Sequence, residues 1–348
     1  MSLKGTGGVL RQEVEDFIVD EVPAYEPCGE GVHTFFAVEK RNLPTMTLVR
    51  NVARALHISR RDVGYAGMKD TRAVARQVLS VPDSPPEQVM TLELEQAQVL
   101  WAKRHTNKLR TGHLRGNTFT IRIRDVHPEA ATRAVPMFAM LKQRGVPNGY
   151  GLQRFGRHGD NADVGLLLLR QDREALRAHG IRSLSFRMRR FYINAFQSAL
   201  FNRYLTRRMQ QGTMDDVLVG DIAKKLATGG LFTVEDREAE RARVQAWEIS
   251  PTGPIYGYKM WEAEGEAGVL ESAVLEAAGV ELEAFRPLKA KGTRRRLRYK
   301  PEGLDWHMEE GDLVVSFFAP KGSYATMLLR EVMKTEAADI EEEEQDEE

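Results

Sequence analysis

The sequence predicts an α+β protein of two domains, with strands gathered in the outer parts of the chain and long helices in its middle. Three observations carry this expectation. Strand candidates lie towards both ends, at residues 17–19, 33–38 and 312–319 and, with clear two-residue alternation, at 118–124. From about Arg157 the pattern turns to helical periods, and residues 191–205 are apolar nearly all round, as a core helix is. A chain of 348 residues with 42% hydrophobic content also exceeds what one core ordinarily takes. A mixed, mainly antiparallel sheet with covering helices is therefore expected from residues 1–156 and 290–348, and a helix-rich α/β domain from residues 157–289.

Taken in order, Gly5-Thr6-Gly7-Gly8 looks like a phosphate loop but has no strand before it and no helix pattern after it, so it reads as a turn. Residues 13–21 read as a turn entering a short strand, with Phe17 and Val19 on one face. The strand at 33–38 ends at Asn42-Leu43-Pro44. Residues 45–58 then set Leu48, Val52 and Leu56 at helical spacing, with Thr45 or Thr47 available as a cap. A strand at 77–81 is followed by a loop marked by Pro82, Pro85 and Pro86.

Basic residues then cluster. Residues 101–115 hold Lys103, Arg104, Lys108, Arg110 and Arg115 without one acid, and read as a loop-borne patch beside the strand at 118–124. Arg187, Arg189 and Arg190 precede the long apolar helix. Residues 286–300 hold eight bases and no acid, including Arg294, Arg295 and Arg296, and form the strongest candidate for contact with a phosphate backbone.

Two stretches carry chemistry. Gly64-Tyr65-Ala66-Gly67-Met68-Lys69-Asp70-Thr71-Arg72-Ala73-Val74-Ala75-Arg76-Gln77 places a carboxylate among bases, with Gly64 and Gly67 free to take backbone angles closed to other residues. Asp70, flanked by Lys69, Arg72 and Arg76, is expected to remain ionised and so to be capable of acting as nucleophile or base. By composition alone the plainer reading is an Asp that ends a turn and pairs with a surface Arg. Pro147-Asn148-Gly149-Tyr150-Gly151-Leu152-Gln153-Arg154-Phe155-Gly156 combines glycines that permit close backbone approach, an amide able to brace a loop and an aromatic ring able to stack on a base.

Both stretches resemble signatures of the TruD family of tRNA pseudouridine synthases. The first is similar to the family's catalytic loop in Gly67-x-Lys69-Asp70-x-x-Ala73-Val74-x-x-Gln77, and the second to its Pro-Asn-x-aromatic-Gly-x-Gln-Arg-Phe-Gly motif. Glu15-Asp16-Phe17, residues 195–202 and Pro320-Lys321-Gly322-Ser323 resemble further family segments in the family's order, so the resemblance covers about residues 5–335. It implies a catalytic domain of pseudouridine-synthase type with an inserted domain and an RNA cleft between them. It also implies Asp70 as the catalytic residue, and Tyr150, Asn148, Gln153, Arg11 and Lys69 as residues that stack on the substrate base or support the site. Arg11 stands where the family commonly has a Lys, and Tyr150 where it has a stacking Phe. RNA contacts are expected from Lys103, Arg104, Lys108, Arg110, Arg115, Arg154, Arg294, Arg295 and Arg296. The implied reaction is isomerisation of a uridine in tRNA, usually uridine 13 of the D-arm, to pseudouridine without a cofactor.

Composition agrees with a polyanionic partner. Formal charge is zero, from 50 Lys and Arg against 50 Asp and Glu, but nine of the acids fall in residues 336–348, which hold no base. The rest of the chain has 50 bases against 41 acids, and the acidic run reads as a solubilising tail. Cys28 is the single cysteine and the eight histidines are scattered, so neither a disulfide framework nor a metal is expected. No signal segment or apolar span is evident, which predicts a cytoplasmic location with tRNA as partner, no membrane and no obligate protein partner. Two other functions compete: a non-catalytic RNA-binding or RNA-folding protein, and, on Gly5–Gly8, a nucleotide-dependent enzyme.

Overall fold

The computed structural model describes residues 3–156 and 158–335, so the acidic run at 336–348 lies outside the described residues. Contacts divide the chain into two compact units. One combines the residues up to Gln143 with Pro301–Ala325 and the segment from Leu329, and the other comprises Arg144–Lys300 with Thr326–Leu328.

In chain order the strands are β1 Val9–Leu10, β2 Phe17–Pro23, β3 His33–Arg41, β4 Gly64–Tyr65, β5 Val74–Pro82, β6 Ala97–His105, β7 Leu114–Arg124, β8 Val146–Pro147, β9 Ile222–Lys225, β10 Leu231–Thr233, β11 Ile249–Ile255, β12 Thr293–Arg296, β13 Arg298–Tyr299, β14 Glu302–Glu309 and β15 Asp312–Pro320. The α-helices are α1 Thr45–Ala55, α2 Pro86–Met90, α3 Ala130–Arg144, α4 Asn161–Arg170, α5 Arg173–Ala178, α6 Phe186–Gln210, α7 Arg237–Gln245, α8 Gly265–Ala277 and α9 Ala325–Met333. The α+β class is as the sequence predicts.

A sheet in the order β14-β15-β7-β2-β5-β3-β6 forms the centre of the first unit, with β1 beside β7 and β4 beside β5. β2 and β5 run parallel, and every other described ladder is antiparallel. Alternation sends Phe17 and Val19 of β2, Phe36 and Val38 of β3, Leu79 and Val81 of β5, and Phe119 and Ile121 of β7 to one face, where all are buried. Onto this face α1 lays Leu48, Val49, Val52 and Leu56, packed against Phe36, Val38, Leu79 and Val81. The same registers put Glu21, Lys40 and Gln77 on that covered face. Three polar side chains so placed need partners.

Three local expectations are revised. Thr45 is the first helical residue of α1 rather than its cap, with Pro44 in the cap position, and its hydroxyl accepts a hydrogen bond from the Lys69 N–H at 2.9 Å. Neither Gly64 nor Gly67 has a positive φ. Gly64 is required by proximity, since a Cβ there would sit 2.4 Å from the Leu109 carbonyl oxygen, whereas a Cβ at Gly67 would meet Lys69 Nζ at 3.6 Å, an ordinary contact. Lys103 and Arg104 lie on β6, which pairs with β3 along its length, and not on a loop. Successive strand residues face opposite ways, so these two cations project from opposite faces of the sheet.

The second unit is built around α6. Ile193, Phe196, Leu200, Phe201 and Tyr204 are buried among Leu169, Val274, Tyr256 and Phe285. Gly165 lets α4 approach closely, because a Cβ there would meet the Tyr192 carbonyl oxygen at 2.3 Å. A four-stranded sheet, β10-β9-β11-β12, and the short β8–β13 ladder complete the unit.

Candidate active site

Asp70 lies in the loop between β4 and β5, with its side chain 23% exposed. Two contacts fix it. Its Oδ1 accepts a hydrogen bond from Arg11 Nη2 at 2.9 Å, and its main-chain carbonyl accepts one from Lys40 Nζ at 2.6 Å. Lys40 also reaches the Leu43 carbonyl at 2.5 Å, so one buried ammonium joins the Asp70 loop to the entrance of α1. Arg11 has φ +57°, a conformation that non-glycine residues adopt rarely and at some cost. Its guanidinium lies 4.1 Å from the Phe17 ring centroid, so the group that holds the carboxylate is itself packed on an aromatic.

The cations adjacent in sequence are differently employed. Lys69 pairs with Glu21, and the two side chains are 3% and 1% exposed. Glu21 also accepts from the Val78 N–H at 3.2 Å, which ties this ion pair to β5. Arg72 donates to the Gln12 carbonyl at 2.9 Å, and Arg76 bridges Asp20 and Glu39 on the other face of the sheet. Lys69 is thus a buried anchor of the loop that carries Asp70. Sequence adjacency named Lys69, Arg72 and Arg76 as the charges around the carboxylate; the ion pair at its Oδ1 comes instead from Arg11, 59 positions away.

In the second unit the Pro147–Gly156 motif forms its own network. The Asn148 N–H donates to the Leu297 carbonyl at 2.8 Å, and its Nδ2 donates to the Arg296 carbonyl at 3.0 Å. Arg295 donates to both the carbonyl and the Oδ1 of Asn148, at 2.9 and 2.8 Å. That places the Arg295 guanidinium 4.2 Å from the Tyr150 ring centroid. Phe201 meets the same ring edge-on at 5.8 Å. Asn202 of α6 holds the Tyr150 main chain at both ends, accepting from its N–H and donating to its carbonyl, each at 2.8 Å. Arg154 donates to Ser198 Oγ at 3.1 Å and lies 5.6 Å from the Tyr150 ring. The result is an aromatic plate backed by arginine, with its backbone clamped on both sides. The Gln153 side chain lies outside the described residues.

The predicted phosphate contacts separate by burial. Lys103, Arg110 and Arg115 are exposed; Lys108 is half-buried and donates to the Arg61 carbonyl. Arg296 is half-buried beside Arg295, and burial together with that neighbouring charge lowers its pKa from the ordinary arginine value. Arg294 is withdrawn from the RNA-contact set. Its side chain is 1% exposed and donates twice to the Glu271 carboxylate, at 2.6 and 2.9 Å, and to Thr252, so it is an internal strut of the second unit. Glu21, Lys40 and Asn202 were not singled out from the sequence, and Thr45 was named only as a helix cap. For Glu21 and Lys40 the signal was available: each continues, two residues on, the apolar alternation of its strand.

Among the described residues no group of three or more His, Cys, Asp or Glu side chains is placed to hold a metal ion, and no helix is long and apolar enough to cross a membrane. The first unit thus holds an arginine-fixed carboxylate on a mainly antiparallel sheet, and the second an arginine-backed aromatic motif. Comparison with known proteins identifies the family. The family model described as "tRNA pseudouridine synthase D (TruD)" matches residues 1–179 and 173–332. Among curated proteins, the tRNA pseudouridine synthase D of Anaeromyxobacter sp. (strain Fw109-5) is 46% identical over 339 residues, covering 96% of this chain and 95% of that one. That of Geobacter sulfurreducens is 40% identical, covering 95% of each chain. Among solved structures, a putative tRNA pseudouridine synthase D (TruD) from Methanosarcina mazei superposes with a TM-score of 0.81 at 28% identity, covering 97% of this chain and 96% of the other. The chain belongs to the TruD family of tRNA pseudouridine synthases.

Proposed function

We propose that this protein isomerises a uridine in tRNA to pseudouridine, with Asp70 as the catalytic carboxylate and uridine 13 of the D-arm as the target. Family membership along the whole chain supports the reaction class. The observation that carries the residue assignment is the Arg11–Asp70 ion pair, which orients a partly exposed carboxylate in the loop that bears the family signature.

In the reaction the bond from ribose C1′ to N1 of the base breaks, the uracil turns, and C5 bonds to C1′. The hydrogen leaves C5 and N1 gains a proton, so atoms and electrons balance without a redox partner. Asp70 either attacks C1′ or removes the C2′ proton to give a glycal; each requires the ionised form. Arg11 orients the carboxylate. Tyr150 acts as the stacking surface for the extruded base, with Arg295 and Asn148 holding the ring and its loop in place. Lys103, Arg110, Arg115 and Arg296 serve as phosphate contacts.

The test is tritium release from tRNA transcripts carrying 5-tritiated uridine, followed by mapping of the modified position. Wild-type protein is expected to release tritium. Asp70→Asn is expected to release none while binding tRNA within a few fold of wild type. Tritium release by the variant at a comparable rate refutes Asp70 as the catalytic group, and tight binding without release by the wild type favours a non-catalytic RNA-binding protein.

A further inference from the structure

The first two turns of α6 have a composition that folding does not explain. Residues 185–191 are exposed on every side, before Ile193 and Ala195 enter the core. Within them Phe186, Phe191 and Met188 are 56%, 40% and 38% exposed. Three large apolar side chains at one projecting end exceed the scattered exposure expected of a soluble surface. Interleaved with them are Arg187, Arg189 and Arg190, with Arg182 just upstream, and from Ala175 to Met214 the chain has no Asp or Glu at all.

Helix electrostatics make the arrangement more pointed. The positive end of the helix dipole favours acids in the first turn, whereas α6 has none there and begins with cations. Ser185 caps the helix by accepting from the Met188 N–H at 3.2 Å, so the terminus is properly formed and still positively charged. Arg187, Arg189 and Arg190 make no ion pair among the described residues, and Arg190 lies 5.9 Å from the Phe186 ring centroid. A local rule broken without internal compensation points to a binding role. Arginines alternating with exposed aromatic rings match a single-stranded or looped nucleic acid, whose phosphates pair with the guanidinium groups while its unstacked bases lie on the rings. The charge surrounds the helix rather than lining one side of it, which is unlike a helix lying in a membrane surface.

We infer that the projecting end of α6, through Phe186, Arg187, Arg189, Arg190 and Phe191, is a docking element for a looped part of the tRNA. This inference rests on the proposal that tRNA is the substrate, and it adds an anchoring surface that takes no part in the chemistry.

The test compares wild type with Arg187→Gln/Arg189→Gln/Arg190→Gln and with Phe186→Ala/Phe191→Ala in the full chain. Binding of a fluorescein-labelled tRNA transcript is measured at several salt concentrations, alongside tritium release and flotation with vesicles containing phosphatidylserine. The arginine variant is expected to lose about tenfold in affinity, with a salt slope shallower by about two, since each phosphate contact contributes roughly 0.7–0.9 to that slope. The aromatic variant is expected to lose a similar factor with its slope unchanged. Both should show a raised KM and a kcat within twofold of wild type. Because all the altered side chains are exposed, the thermal transition should not move. Unchanged tRNA affinity in both variants overturns the inference, as does a fall in kcat with KM unaltered, or vesicle binding that the arginine variant abolishes while tRNA binding persists. The binding readout needs no turnover. If wild type releases no tritium but the variants still lose tRNA affinity, the docking surface stands and the pseudouridylation reading falls.

Discussion

Removing Lys69 alone should be far more damaging than removing Lys69 and the charge of Glu21 together. The two side chains are almost wholly buried, so Lys69→Met leaves Glu21 as a carboxylate in the covered face of the sheet, without its cation and with the Val78 N–H still donating to it. Breaking a buried pair from one side costs about 3–5 kcal/mol. For a unit of this size 1 kcal/mol moves the transition by about 2–4 °C, so Tm should fall by roughly 6–20 °C. Glu21→Gln added to Lys69→Met removes the stranded charge and retains an oxygen to accept from Val78, while the methionine side chain still fills the space of the lysine's aliphatic stem. The double variant should return to within about 1–2 kcal/mol of wild type, a coupling of at least about 2 kcal/mol between the sites. Thermal and guanidinium denaturation of the four proteins of the cycle measure it. Tritium release at a temperature where the single variant is still folded should drop about tenfold, because Lys69 precedes Asp70 and its N–H is tied to Thr45. Additive effects within about 0.5 kcal/mol would refute the reasoning, since independent contributions mean that no buried charge was stranded.

Two further outcomes follow from other contacts. Asn202→Ala removes both hydrogen bonds to the Tyr150 main chain, each worth about 0.5–1.5 kcal/mol; kcat/KM for tRNA should fall about tenfold with Tm lowered by only a few degrees, and an unaltered kcat/KM would show that the clamp is dispensable. Asp16 is a pH-sensitive tie between β7 and the turn that precedes β2: burial raises its pKa, but hydrogen bonds from Arg124, at 2.9 Å, and from the Glu13 N–H, at 2.8 Å, outweigh this and hold it below the ordinary value. With the folded value depressed, its stabilisation is complete above the unfolded value of about 4 and is lost as pH falls through the folded value. Asp16→Asn should therefore cost about 2 kcal/mol at neutral pH and show a flatter loss of stability between about pH 4 and pH 2, as followed by guanidinium denaturation; parallel pH profiles for the two proteins would contradict this account.

The sequence by itself determined a good deal. Apolar and alternating runs located β2, β3, β7 and β15, and alternation gave the shared face of Phe17 and Val19, because a strand's side-chain period is fixed by its backbone. Helical spacing located α1, and a run apolar nearly all round located the buried part of α6. The signature stretches around Asp70 and Asn148–Tyr150 were legible as family resemblances because each is a set of residue types at short, fixed separations. Boundaries were less legible: β6 took in residues 101–105 of a basic run read as a loop, since strand pairing with β3 outweighs a weak local preference.

Charge partners were decided only by the tertiary structure. Lys69, next to Asp70 in sequence, turns inward to Glu21, while Arg11 reaches the carboxylate. Arg294, Arg295 and Arg296 look alike in the sequence, yet Arg294 is sealed against Glu271, Arg295 backs the Tyr150 ring and Arg296 is half-buried next to the Arg295 charge. The physical reason is that an ion pair needs two side chains within about 4 Å, and residues distant in sequence reach that separation only through strand order and register. Which charges meet is settled by how β2, β3 and β5 lie side by side, a property of the assembled sheet and not of any one segment.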